Sequence, residues 1–74
     1  MNMLQVDSQN ANIKKHLEQG KSITAFEALK LYGCFRLGAR IHDLKRMFPD
    51  MNIKSELVEI GEKRVARYSL QSDN

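Results

Sequence analysis

Between Arg36 and Phe48 the chain carries Arg36, Arg40, Lys45 and Arg46 against a single acid, Asp43, so this segment alone equals the net charge of +3 of all 74 residues. The flanks cancel. Residues 1–35 hold Lys14, Lys15, Lys21 and Lys30 against Asp7, Glu18 and Glu27, and residues 49–74 hold four bases against five acids. Cations gathered on one element attract a dense line of negative charge, such as duplex DNA, more strongly than the same number spread evenly. An Arg bonds bidentately to guanine, and a His donates to bases or phosphates. The chemistry expected of this segment is therefore recognition of double-stranded DNA.

Other chemistries find little purchase. Cys34 is the only cysteine, which excludes an internal disulfide and any Cys-rich zinc arrangement and fits a reducing compartment. His16 and His42 fall on separate expected helices with no acidic cluster spaced to complete a metal site. No base is spaced to activate a Ser or the Cys, and no Gly-rich phosphate loop is present. No enzyme activity, metal, cofactor or small-molecule substrate is expected.

The elements that must position the basic segment follow from pattern. Ser8 is expected to cap a first helix running to about Gln19, with Ile13 and Leu17 as an apolar pair and Gly20 as the stop. Thr24-Ala25-Phe26-Glu27 is a capping box that starts a second helix, along which Phe26 and Leu29 share a face and which ends at Gly33. A third helix over residues 36–47 carries Leu37, Ile41, Leu44 and Phe48 as an apolar stripe, ended by Pro49. Opposite that stripe lie Arg36, Ala39, His42, Asp43 and Arg46, with Arg40 and Lys45 on its flanks. Arg40 is open between clamping a phosphate and pairing with Glu27 or another acid, and Asp43 repels phosphate unless Lys45 or Arg46 screens it. Gly38 and Ala39 are small enough to let the helix approach base pairs, or to pack closely within the fold.

Residues 53–70 read as a hairpin about Gly61-Glu62. A two-residue loop sets Val58 opposite Val65, Glu56 opposite Arg67 and Glu59 opposite Arg64, and both acid–base oppositions emerge unforced. Ile53, Leu57, Ala66, Tyr68 and Leu70 then share one face. Arg64 and Arg67 are spoken for by their acids, which leaves Lys63 at the loop as the wing's phosphate contact. The fold class expected is α+β, a winged helix-turn-helix of three helices followed by a two-stranded β-hairpin wing. It occupies residues 8–70 as one domain, with loose termini at 1–7 and 71–74.

The span Ile23-Thr24-Ala25-Phe26-Glu27-Ala28-Leu29 through Gly33, Arg36-Leu37-Gly38-Ala39-Arg40-Ile41 and Val65-Ala66-Arg67-Tyr68-Ser69-Leu70 resembles a family of small helix-turn-helix domains common in tailed-phage and prophage genomes. The likeness covers about residues 22–70. It implies a DNA-binding regulator and marks Arg36 and Arg40 as characteristic positions. Ala28 and Gly33 stand five apart, where the usual motif has four, so the turn is expected to be non-standard.

The composition, 42% apolar and 28% charged with a pI near 9.2, is that of a globular chain with a nucleic-acid-compatible charge. No apolar run approaches the ~20 residues that span a bilayer, and Met1-Asn2-Met3-Leu4-Gln5-Val6-Asp7 does not read as a signal peptide. The reading is a cytoplasmic phage or prophage transcriptional regulator whose DNA contacts are Arg36, Ala39, Arg40, His42, Lys45, Arg46 and Lys63. A homodimer is one route to adequate affinity. Two alternatives use the same residues: a protein that docks its basic helix face on a host polymerase or nuclease, or an architectural or recombination-directionality factor that bends DNA.

Overall fold

The computed structural model of the chain describes residues 3–71, with side chains in the first helix from Ser8 onward. In chain order the elements are α1 (Met3–Glu18), β1 (Ile23–Thr24), α2 (Ala25–Tyr32), α3 (Leu37–Met47), β2 (Ile53–Ile60) and β3 (Lys63–Leu70). Three helices and a wing are therefore present, and the architecture is a winged helix-turn-helix of α+β class. Among the described residues no helix is long and apolar enough to cross a membrane.

The N-terminal boundary differs from the sequence expectation. Helix α1 begins at Met3, so Ser8 lies inside it and is no N-cap, and residues 3–7 are helical. Met, Leu and Gln are good helix formers and no Gly or Pro precedes Ser8, so nothing stops the helix from extending backwards. The expected Ile13–Leu17 pair is fully buried, and Gly20, at φ 83°, takes the left-handed turn that ends the helix. Met1, Asn2 and residues 72–74 lie outside the described residues. Gln71 is tied down, its N–H donating to the Asn52 carbonyl at 2.8 Å.

Helix α2 starts as its capping box requires. The Thr24 hydroxyl accepts from Glu27 N–H at 3.4 Å, and the Glu27 carboxylate accepts from Thr24 N–H at 2.9 Å. At the far end Gly33, at φ 65°, lets its own N–H reach Leu29 and the Cys34 N–H reach back to Ala28. These bonds satisfy two orphan carbonyls. The Phe26–Leu29 face is solvent-exposed, contrary to the core role its apolar character suggests, and α2 buries only Ala28. Helix α3 keeps its stripe: Leu37, Ile41 and Leu44 are buried, with Phe48 half-covered beneath the Lys14 ammonium, 4.9 Å from its ring centroid.

The wing has the register read from the sequence at every pair, from Ile53 opposite Leu70 to Ile60 opposite Lys63. It is not a two-stranded sheet, however. β1 pairs antiparallel with β3, Ile23 opposite Tyr68 and Thr24 opposite Arg67, giving the order β1-β3-β2. A two-residue strand has no period to detect, which is why it escaped sequence reading. The core joins Ile13 and Leu17 of α1, Ile23 of β1, Ala28, Cys34, Leu37, Ile41, Leu44 and Ile53, with Tyr32, Met51, Tyr68 and Leu70 packed at its edge. Leu57, expected on the inner face, is 69% exposed because the wing runs out past the helices.

One buried histidine ties three segments together. His16 Nε2 lies 2.9 Å from the Ser22 carbonyl, which can only accept, so this nitrogen carries the proton. In the neutral ring Nδ1 then accepts from the Tyr32 hydroxyl at 2.7 Å. The end of α1, the approach to β1 and the end of α2 meet on one imidazole, and Tyr32 is thereby committed to the interior.

Candidate nucleic-acid interface

Helix α3 lies between α1 on one flank and the wing on the other. On one, Asp43 is half-buried against α1, where Asn10 Nδ2 donates to its carboxylate at 3.5 Å. On the other, Gly38 faces the wing, and a Cβ built there would meet the Tyr68 hydroxyl at 4.0 Å. With about 100° between successive residues, the arc between these flanks holds Ala39, His42 and Arg46. His42 and Arg46 are exposed and Ala39 is half-buried. Lys45 is exposed towards the wing side, and Arg36 is exposed as the residue that starts the helix without a side-chain cap.

Asp43 also gathers arginines. Arg40 approaches it at 3.1 Å and Arg46 at 3.8 Å. Arg40 is only 18% exposed, and the acid it pairs with is Asp43 and not Glu27. Arg46 keeps most of its guanidinium in solvent. The one acid on the helix thus lies between two cations and turns towards α1, which removes the repulsion of phosphate that its presence implied.

In the wing the two acid–base oppositions part company. Arg67 donates to Glu56 at 2.8 Å, and that hydrogen bond, then the Arg67 charge, hold the Glu56 carboxyl below the usual carboxylate value, with Lys54 adding in the same direction. Glu59 and Arg64 stand opposite in register, yet among the described residues they form no ion pair. Arg64 is free.

Strand parity gives that freedom a direction. Partners across an antiparallel ladder share a face, so Arg64 lies on the Tyr68 side of the sheet, the side that touches α3. Lys63 lies on the opposite side with Arg67 and Thr24, lining a groove against α2. The cation singled out from the sequence therefore points away from α3, and the one set aside points along it. Parity is legible in the sequence, but so is the Glu59 opposite Arg64, which masks it. A second residue missed by sequence reading is Phe35, in the turn before α3, which is 83% exposed. An isolated aromatic in a turn has no period to announce it.

The interface so assembled consists of the exposed face of α3, the turn that precedes it and the α3 side of the wing. Helix α2 ends at Tyr32 and α3 begins at Leu37, so residues 33–36 form the intervening turn, a length usual for the motif despite the Ala28-to-Gly33 spacing. Searches of curated proteins and of solved structures found no match. A family model described as a winged helix-turn-helix domain matches residues 8–73, nearly the whole chain. With both the helix pair and the wing in place around this basic face, the chain belongs to the winged helix-turn-helix domain family, a DNA-binding fold.

Proposed function

We propose that the protein is a cytoplasmic regulator of phage or prophage transcription that reads the major groove of double-stranded DNA with α3. It acts by binding and not by catalysis. The observation that carries the reading is the exposed face of α3, seated on α1 and bearing Arg36, Lys45 and Arg46 with its one acid drawn aside. In this arrangement Arg36 and Arg46 bond to base edges, His42 donates to a base or phosphate, and Ala39 leaves room for close approach. Lys45 takes the backbone on the wing side. Arg40 holds Asp43 and so sets the seat of α3 on α1. Phe35 offers apolar contact to a thymine methyl, and Arg64 takes a phosphate beside the groove. One domain of this size makes few contacts, so two copies on paired half-sites give the affinity a regulator needs.

The test is selection of bound sequences from random duplex DNA, followed by titration of the winner at several salt concentrations. With about 4–6 phosphates contacted, log affinity should fall with log salt at a slope of about −4 to −5. Absence of duplex binding at about 50 mM salt, a condition that favours electrostatic association, would overturn the reading. Binding with no preference among sequences, but with bending, would instead make the protein an architectural factor.

A further inference from the structure

We infer that the groove between α2 and the outer face of the wing is a docking site for an acidic amphipathic segment of another protein. The groove encloses about 670 Å³. Its apolar walls are Phe26 and Leu31 from α2 and Ile60 and Val65 from the wing. Phe26 is 70% and Ile60 56% exposed, so large apolar side chains on two separate elements stand in water facing one another. Apolar surface assembled in this way on a small domain marks an interaction site.

Charge selects the occupant. Lys30 and Lys63 stand in the groove walls, and among the described residues neither has an ion-pair partner. Of the acids nearby, Glu56 is paired with Arg67, and Glu27, held by the backbone and hydroxyl of Thr24, is the one carboxylate in the lining against the two lysines. The groove therefore presents a net positive charge beside its apolar walls. A second copy of the chain joined symmetrically would bring Lys30 and Lys63 against the same residues of its twin, and like charges set face to face oppose association. A nucleic-acid backbone would meet the lysines but leave Phe26, Leu31 and Ile60 without a partner. A helix with Leu, Ile or Phe at intervals of three and four and with Asp or Glu beside them satisfies both the apolar walls and the lysines. The site is independent of the α3 face, so its failure would leave the DNA reading untouched.

The experiment is selection of 16-residue peptides from a random display library against the full chain, with the winning peptides synthesised and mapped by amide chemical shifts. The expected winners are acidic, with apolar residues at helical spacing, and they move amides of α2 and of residues 60–67. Phe26→Ser, Ile60→Ser and Lys30→Glu should each weaken their binding about tenfold, on the scale of a lost anchor, while leaving duplex binding unchanged. Phe26 and Ile60 are exposed, so these variants keep the fold, and the amide spectrum of each variant checks it. Recovery of no peptide, of basic or uncharged peptides, or of peptides that move other amides would overturn the proposal. So would concentration-dependent shifts of the groove amides without peptide, which assign the face to a second copy. Displacement of the peptide by duplex DNA, with the same amides moving, would assign it to nucleic acid.

Discussion

Replacing Gly38 by alanine separates two explanations of why a glycine sits near the start of α3. If the residue is small because the fold is tight there, an added methyl must displace a neighbour and destabilise the protein. The geometry says otherwise: the new Cβ would lie 4.0 Å from the Tyr68 hydroxyl, an ordinary van der Waals separation. Alanine also favours helix over glycine by about 0.5–1 kcal/mol in helix interiors. Gly38 is the second residue of α3, where fewer intrahelical bonds depend on it, so the lower end applies. A gain of about 0.5 kcal/mol in a domain of this size raises Tm by about 2–4 °C. The same methyl projects on the side of α3 next to its exposed face, so duplex affinity should fall while stability rises. Calorimetric melting beside fluorescence-anisotropy titration of the selected duplex measures both. A lower Tm would refute the packing geometry around Tyr68, and a higher Tm with unchanged affinity would remove Gly38 from the DNA interface.

Truncations should divide by role: Arg36→Ala or Arg46→Ala should cost about 1–3 kcal/mol on the selected duplex and flatten sequence preference. Arg64→Ala should instead weaken all duplexes alike and reduce the salt slope by about one. Lys63→Ala, on the far side of the sheet, should change neither measurably, and a loss matching Arg64→Ala would show that the wing turns its other face to DNA. For the Glu56–Arg67 pair, Glu56 is held below the usual carboxylate value when folded, so its contribution is full above the unfolded value and is lost as pH falls through the folded one. Glu56→Gln should therefore flatten the acid limb of the Tm-against-pH curve, and reversing both charges should recover most of what reversing one loses; additive losses in the double variant would argue against the pair. Cys34→Ser places a hydroxyl in a site only 1% exposed and should cost about 1–3 kcal/mol of stability with duplex binding by the folded protein unchanged. An unaltered melting curve would mean that the thiol does not pack as a core group.

What the sequence disclosed was what local chemistry specifies. The capping box at Thr24 and Glu27 needs only four residues and came out with both bonds in place. The hairpin register needed only the loop length and then fixed eight pairs. The stripe from Leu37 to Leu44 was legible because α3 has one buried face with regular spacing. The misses arose where distant parts of the chain decide. Ile23 and Thr24 form a strand only because β3 is there to pair with them. Leu57 obeys its alternation yet stays wet, since no helix extends far enough to cover it. Asp43 looked like a residue of the outward face until Asn10 of α1 claimed it. In the wing, pattern proposed two ion pairs, whereas packing and solvent allowed only the one between Glu56 and Arg67 to close.

Thr24 belongs to two machines at once. It is the last residue of β1, paired with Arg67 on the central strand, and it is also the cap that starts α2. Across the sheet, Thr24, Arg67 and Glu56 form one continuous row. The wing extends about 23 Å from Leu70 to its tip at 3.3 Å per residue, which makes it a long arm hinged close to that row. Thr24 passes straight from β1 into the first turn of α2, with no loop in between. The start of α2 is therefore fixed by the central strand of the wing as much as by its own capping box, and Thr24 is where the two constraints meet.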